Sequence, residues 1–518
     1  MHSLTPLDYL VFGGYFLVVM TVVWWVSRRG KDSSEDYFLA GRSLPWWIIG
    51  ASLIASNIST EQIIGMNGTA FESGIAVISY SLIGAAVTIL LVARYFLPAF
   101  LKMKIYSMPE FLERRYDWRV STGMGVFWIL VYIFVNLTSV LSLGAITLKA
   151  VLDIPITYSI VGLAAVSAVY TIYGGLSAVA WTDFIQVGVL IIGGLAVVWL
   201  GLDTVADGEG VAAGFSQLYR AQSDKFHTIL PASHEELPWT GIFLGGLWIA
   251  ALSYWGCNQY IIQRALAAQS LQEARYGLLF AAFLSLVVSL IIVVPGVIAA
   301  ELYPQDITAR DQAFPYLVKR LLPPGYTGLV IAALIAAIIS SLNAMCNSVA
   351  TIFTMDIYCK VIHRGASDRR MIRVGRVATA VSLLLAMLVA PSVARLGRLF
   401  LFIQEYTGFV TPGVLCIFLF GLFWPRANSR GALAVLLLTV PVSVGFKWLA
   451  PDIAFLNRMT LTFLVLVVTM VGVSLRSAPT ATSLAIDRAY FGERSSVGFN
   501  LGALVVIGIA GTIYLVFS

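Results

Sequence analysis

The chain has 518 residues, 59% of them apolar and only 12% charged, with 4 histidines, 4 cysteines and a formal net charge of +6. A mean hydropathy of +0.87 excludes an ordinary water-soluble globule, in which about a quarter of the residues are charged. At about 20 apolar residues per crossing, the apolar inventory supplies on the order of 14 membrane helices and leaves little for an appended enzyme domain.

The first apolar run, 7–26, has no basic residue before it and Arg28, Arg29 and Lys31 after it. That order is the reverse of a secretory signal, so the run is expected to stay as a span. Apolar runs set against charged breaks predict spans over 8–27, 44–68, 74–101, 121–148, 155–174, 177–201, 240–263, 274–300, 325–358, 372–393, 397–423, 431–450, 459–475 and 497–517. The expected fold class is therefore an all-α polytopic membrane protein of about 14 helices, forming one domain. Alternating the loops puts 23 of the 33 Lys and Arg residues on one side. The positive-inside rule makes that side cytoplasmic, places both termini outside, and explains a sequence pI near 9.0 without any nucleic-acid partner. The two longest outer loops, 203–238 and 303–322, read as lids or surface loops.

Soluble-enzyme motifs are missing: no Walker loop, no HExxH and no paired catalytic cysteine and histidine. The cysteines lack CxxC spacing and the histidines fall outside the spans, so neither a zinc site nor a histidine proton relay is suggested. The chemistry must come from polar residues that interrupt apolar helices, which are costly in hydrocarbon and face a cavity or a partner. The second span bunches Ser56, Asn57, Ser59, Thr60, Glu61 and Gln62. A helix break near Asn57 would free carbonyls for a desolvated cation, and the bland alternative is a helix end or polar packing patch. In the ninth span Ala337, Ser340 and Ser341 share a face, where neutral oxygens suit Na⁺ better than Mg²⁺ or Ca²⁺. The same positions, with Ala344 and Ser348, also form a small-residue stripe for close helix packing.

A second polar interruption, 253–259, falls five spans after the first. Two broken helices in corresponding positions are the pattern of inverted-repeat carriers with a midplane site, although Tyr254 and Trp255 also fit an interfacial aromatic belt. Asp183 and Glu405 are the remaining intramembrane acids of interest, each needing a basic or hydroxyl partner or serving cation passage. The sequons at Asn57 and Asn136 lie inside spans and carry no information.

Residues 34–47 (SEDYFLAGRSLPWW), running into the Asn57 to Gln62 cluster, resemble the sodium/solute symporter family. Segments 173–179 (YGGLSAV), 181–183 (WTD), 259–264 (QYIIQR), 351–358 (TIFTMDIY) and 404–408 (QEYTG) are similar to its bacterial sodium/galactose branch, so the likeness covers nearly the whole chain. The resemblance implies a LeuT-type fold: a leading helix (8–27), five-plus-five inverted repeats (44–201 and 240–423) and three trailing helices (431–518). It implies a Na⁺ site from the carbonyls of Ala55, Ile58 and Ala337 and the hydroxyls of Ser340 and Ser341, with Asp183 on the ion's exit path. It further implies an outer gate of Met66, Tyr80 and Phe400, an inner gate at Tyr254, and solute contacts from Asn57, Gln62 and Gln404, beside Trp255.

Where the galactose carriers place an acidic contact, an Asn and a Lys, this chain has Ser81, Ala251 and Ser285, and Gly84 replaces a further Ser. Buried polar groups that must be satisfied discriminate strongly between ligands, so these departures predict a solute other than galactose. The expected function is Na⁺-coupled symport of a small polar solute, first a sugar or polyol, by a plasma-membrane protein of a bacterial inner membrane. The alternatives are symport of an amino acid, monocarboxylate or vitamin, and a sensor that binds solute without moving it.

Overall fold

A backbone inside a bilayer must satisfy its own polar groups. The computed structural model describes residues 5–27, 33–59, 61–394, 399–477 and 494–518. Among these it uses helices, apart from two isolated bridges, Leu44 with Ala268 and Leu230 with Pro238. Thr60 and four of the counted basic residues, Arg28, Arg29, Lys31 and Arg488, lie outside the described residues.

Twelve described helices are long and apolar enough to cross a membrane. Fourteen are not reached in this way, because two expected spans are made of shorter pieces. The second is cut into Trp46–Asn57 and a wide-turned Glu61–Met66 that continues as Asn67–Ser73. The fifth is the shorter apolar helix Ile156–Val169. No loop separates the fifth and sixth expected spans: Ile156–Val205 is one helical run kinked at Gly175, with φ 55° and ψ −165°. Only glycine adopts that conformation without strain, and a Cβ there would stand 2.8 Å from the Tyr37 carbonyl oxygen.

The Trp46–Asn57 helix is held between Ile156–Val205 and Leu271–Leu302, and Ile156–Val205 in turn lies along Tyr326–Thr351. Small residues let these backbones meet, as is usual where lipid gives no hydrophobic drive to helix pairing. A Cβ on Gly277 would come within 2.8 Å of Ile49, and one on Gly296 within 2.3 Å of the Asn67 carbonyl oxygen. Leu271–Leu302 thus grips both halves of the broken second span. The leading helix Pro6–Ser27 is pinned by Asp8, whose Oδ1 accepts from the amides of Gly325 and Gly328 at 2.8 Å each. This carboxylate caps the N-terminus of Tyr326–Thr351, where the helix dipole favours it.

The segments 203–238 and 303–322, expected to be lids or surface loops, contain helical structure. They carry the helices Val211–Ala221 and Ala313–Leu321, and Arg310 ties them together, 3.1 Å from Glu72 and 3.0 Å from Glu236. Three arginines counted as loop charges, Arg115, Arg264 and Arg275, are buried. Arg115 caps the end of Thr411–Phe423 by donating to the carbonyls of Gly421 (2.7 Å), Ala427 (3.0 Å) and Trp424 (2.9 Å). A β-branched side chain at the kink is expected to destabilise the fold by about 1–3 kcal/mol, so Gly175→Val should melt several degrees lower in detergent than Gly188→Val, whose Cβ meets open space. Equal melting of the two variants would show that the kink tolerates a side chain.

Candidate functional site

Two helices are interrupted at membrane depth, and the breaks match. Trp46–Asn57 ends with Ile58 extended (φ −78°, ψ 96°), and Gly246–Cys257 ends with Asn258 extended (φ −81°, ψ 126°) before Gln259–Leu266 begins. The last amide of the first half, from Ile58, bonds the Ile54 carbonyl at 2.8 Å, so the carbonyls from Ala55 onward leave the helical ladder. Ser341 stands against this end, its hydroxyl donating to the Ser56 carbonyl at 3.3 Å. Ala55, Ile58, Ala337, Ser340 and Ser341 are all at most 5% exposed. The two helices expected to supply neutral oxygens therefore touch through Ser341 and the Ser56 carbonyl.

Behind Ser340 lies a fully buried ion pair. Asp183 and Arg264 are both 0% exposed, with Arg264 Nη2 3.5 Å from Asp183 Oδ2. Ser340 Oγ donates to Asp183 Oδ1 at 2.6 Å and Ser52 Oγ to Oδ2 at 2.5 Å. Arg264 Nε donates to Ser52 Oγ at 2.8 Å and Nη1 to the Tyr260 carbonyl at 2.5 Å. Asp183 thus has both a guanidinium and hydroxyls as partners. Glu405 likewise is paired, with Lys447 at 3.2 Å and Arg458 at 3.1 Å.

Between the breaks lies a cavity of about 160 Å³, room for on the order of a dozen water-sized groups. Asn57, Gln62, Ser81, Tyr254, Trp255, Ser285 and Gln404 all line it, as do Met66 and Tyr80. The side chain of Phe400 lies outside the described residues. Asn57 and Gln62 bond each other's amides at 3.3 and 3.1 Å. The Trp255 indole N–H is committed to the Gly84 carbonyl at 2.8 Å, so Trp255 offers the cavity a ring rather than a donor. Ser285 donates to the Ala282 carbonyl at 2.7 Å, leaving its oxygen as an acceptor. Ala251 and Gly84, where the chain departs from the galactose pattern, are also on the wall.

Asn136, dismissed in the sequence as an uninformative sequon, lines the same cavity. It sits on a wide π-helical turn, Tyr132–Leu137. Glu61–Met66 and Leu82–Val87 are wide turns too, bringing in Gln62, Met66, Gly84 and Ala85. Such turns gather at functional sites because they redirect side chains. A lone Asn in the apolar run 121–148 was the signal available. Tyr260, Thr407 and Thr411 also line the cavity. Aromatic rings close one end: Tyr254 lies 5.2 Å from Trp255 and 5.7 Å from Tyr260, and Tyr132 lies 5.6 Å from Tyr260.

Paired broken helices around an uncharged central cavity define an integral membrane carrier with a LeuT-type fold. The sodium:solute symporter family model matches residues 37–439, and the chain belongs to that family. It is 43% identical to a sodium/glucose cotransporter of Vibrio parahaemolyticus over 544 aligned positions, covering 100% of this chain and 99% of the relative. It is 36% identical to the sodium/myo-inositol cotransporter 2 of Mus musculus, over 84% of this chain and 69% of that one. Among solved structures, a substrate-bound outward-open Na⁺-coupled sialic acid symporter superposes with a TM-score of 0.80 at 24% identity, covering 92% of this chain and 99% of the other; that likeness shows the shared fold. The protein is a Na⁺-coupled secondary transporter rather than an enzyme, with Na⁺ as the co-transported ion.

Removing one partner of a buried pair costs about 3–5 kcal/mol because the other charge is left uncompensated. Asp183→Asn is therefore expected to lower the melting temperature markedly, and Asp183→Asn combined with Arg264→Met should recover most of the loss. A double variant no more stable than the single one would show that the pair is not the relevant unit.

Proposed function

We propose that the solute is a neutral polyhydroxy compound, a sugar or a polyol. One observation carries this reading: none of the described cavity-lining residues is charged, and among its apolar residues the wall offers amides, hydroxyls and aromatic rings. A carboxylate or ammonium solute would enter without a charged partner, whereas hydroxyls would find donors and acceptors in Asn57, Gln62, Asn136, Ser81, Ser285 and Gln404, with Trp255 and Tyr254 flanking the ring. The printed names of the relatives, glucose and myo-inositol cotransporters, support the same class.

In this reading Na⁺ binds between the first break and the ninth span, held by the carbonyls of Ala55, Ile58 and Ala337 and the hydroxyls of Ser340 and Ser341. Ser341 must then turn from the Ser56 carbonyl, and Ser340 is shared with Asp183, which marks the exit path. Ion binding braces the break, where Asn57 and Gln62 begin the solute pocket. Coupling follows only if Na⁺ has different affinities for the outward and inward states, so the broken helix must differ between them. Met66, Tyr80 and Phe400 close the outer side and Tyr254 the inner. A 100 mV potential supplies roughly 2.3 kcal/mol per charge, and a tenfold Na⁺ gradient adds about 1.4 kcal/mol. One ion thus supports several-hundred-fold accumulation. The repeats span 44–201 and 240–423, between a leading helix and three trailing ones. Both termini are outside, and the membrane is a bacterial inner membrane.

Proteoliposome uptake of labelled hexoses, polyols, amino acids and monocarboxylates, with and without an inward Na⁺ gradient, tests the solute class. Na⁺-dependent accumulation of a hexose or polyol is expected; preference for a charged solute would refute the class, and binding without accumulation would leave a sensor. Ser341→Ala should raise the Na⁺ concentration for half-maximal uptake about tenfold, the weight of ~1.4 kcal/mol, while a Na⁺ dependence like that of the parent would remove Ser341 from the ion site.

A further inference from the structure

Away from the solute cavity, a groove of about 890 Å³ opens on the side of the helix bundle. Three segments form it: the Trp118–Val131 helix with its wide turn Tyr132–Leu137, the 11-residue wide-turned end of the ninth span, Ile352–Ile362, and Asp368–Val393. Its two ends differ in chemistry. At one, Arg369, Arg370 and Arg373 stand exposed at the start of Asp368–Val393. Below them the lining is apolar, from Phe353 and Ile133 across to Val374, Val377 and Val381.

We infer that this groove is a binding site for an anionic phospholipid of the leaflet at that face, its phosphate on the three arginines and an acyl chain along the valine face. The charges are complementary: among the described residues no carboxylate pairs with Arg369, Arg370 or Arg373. The neighbouring carboxylate, Asp368, instead accepts from the amide of Ser34 at 3.1 Å. Arg370 lies 5.9 Å from the centroid of the Tyr358 ring, with its Nη1 3.4 Å from His363 Nε2. Ser367, the N-cap of the helix, makes no capping bond with its side chain, leaving a hydroxyl beside the guanidiniums.

The length also fits a lipid. From Arg370 to Val381 the helix rises about 16 Å, the reach of an acyl chain from the headgroup level toward the bilayer centre. Val377 and Val381 are 57% and 48% exposed, so the groove is open sideways to the bilayer. Basic pockets between membrane helices at a cytoplasmic face are the setting in which acidic headgroups are held. The ligand would brace three helices none of which carries a break.

The test uses the full chain in a neutral detergent, titrated with phosphatidylglycerol or phosphatidylcholine, reading the melting temperature by tryptophan fluorescence and bound lipid by native mass spectrometry. Phosphatidylglycerol should raise the melting temperature and remain bound, and phosphatidylcholine should do neither. Arg369→Gln, Arg370→Gln and Arg373→Gln together should weaken its apparent affinity about a hundredfold, at roughly a factor of five per cation near an anionic surface. Arg114→Gln with Arg119→Gln should leave it unchanged. Val377→Trp with Val381→Trp fills the apolar part while keeping the charges and should weaken binding too. The proposal is overturned if both lipids act alike, if the triple Gln variant keeps its preference for phosphatidylglycerol, or if inorganic phosphate reproduces the full effect.

Discussion

The pairing of Asp183 with Arg264 at the centre of the bundle is the constraint around which the rest is arranged. Two fully buried charges carry a desolvation cost of several kcal/mol each, repaid only when geometry and extra hydrogen bonds are good. Here the compensation comes from four directions. Asp183 belongs to the sixth span, Ser52 to the first half of one broken helix, Arg264 to the second half of the other, and Ser340 to the ninth span. Misplacing any of these helices leaves a charge unpaired in a medium without water. The pair thus sets the distance between the two breaks, and the cavity lies in the space it leaves.

The same arrangement links stability to transport. Ser340 spends its proton on Asp183, which leaves its oxygen lone pairs for a cation, and the neighbouring Ser341 touches the frayed end of Trp46–Asn57. An ion held there sits one residue from Asn57, whose amide already engages Gln62 at the cavity wall. In the ion site proposed above, cation and solute need not touch to be coupled, because each would act on the same few residues of unwound backbone. The glycines of Leu271–Leu302 that press on both halves of that span keep the unwound part short.

Much of this was legible from residue order, because insertion into lipid is governed by composition over about 20 residues, which needs no tertiary information. The polar clusters at 56–62 and 253–259 marked both breaks, since small polar side chains compete with the backbone for hydrogen bonds. The solute-lining residues expected from the family motifs all reach one cavity. Less legible were features made by long-range contact. Arg264 read as a loop charge because it ends an apolar run, and its burial depends on Asp183 and Ser52, far away in sequence, besides the local Tyr260 carbonyl. Asn136 read as a stray sequon because nothing local shows that a wide turn points it inward.

Sequence by itself determined that the chain lives in a membrane and where its helices break, because hydrophobicity and local hydrogen-bond competition act over a few to a few tens of residues. Tertiary structure alone decided which polar residues meet. The Asp183, Arg264, Ser52 and Ser340 cluster, the uncharged cavity wall and the arginine-rimmed groove each join residues from several separate segments. Those junctions depend on helix packing, in which small residues at crossings and the need to satisfy buried charges select one arrangement from many with the same span pattern.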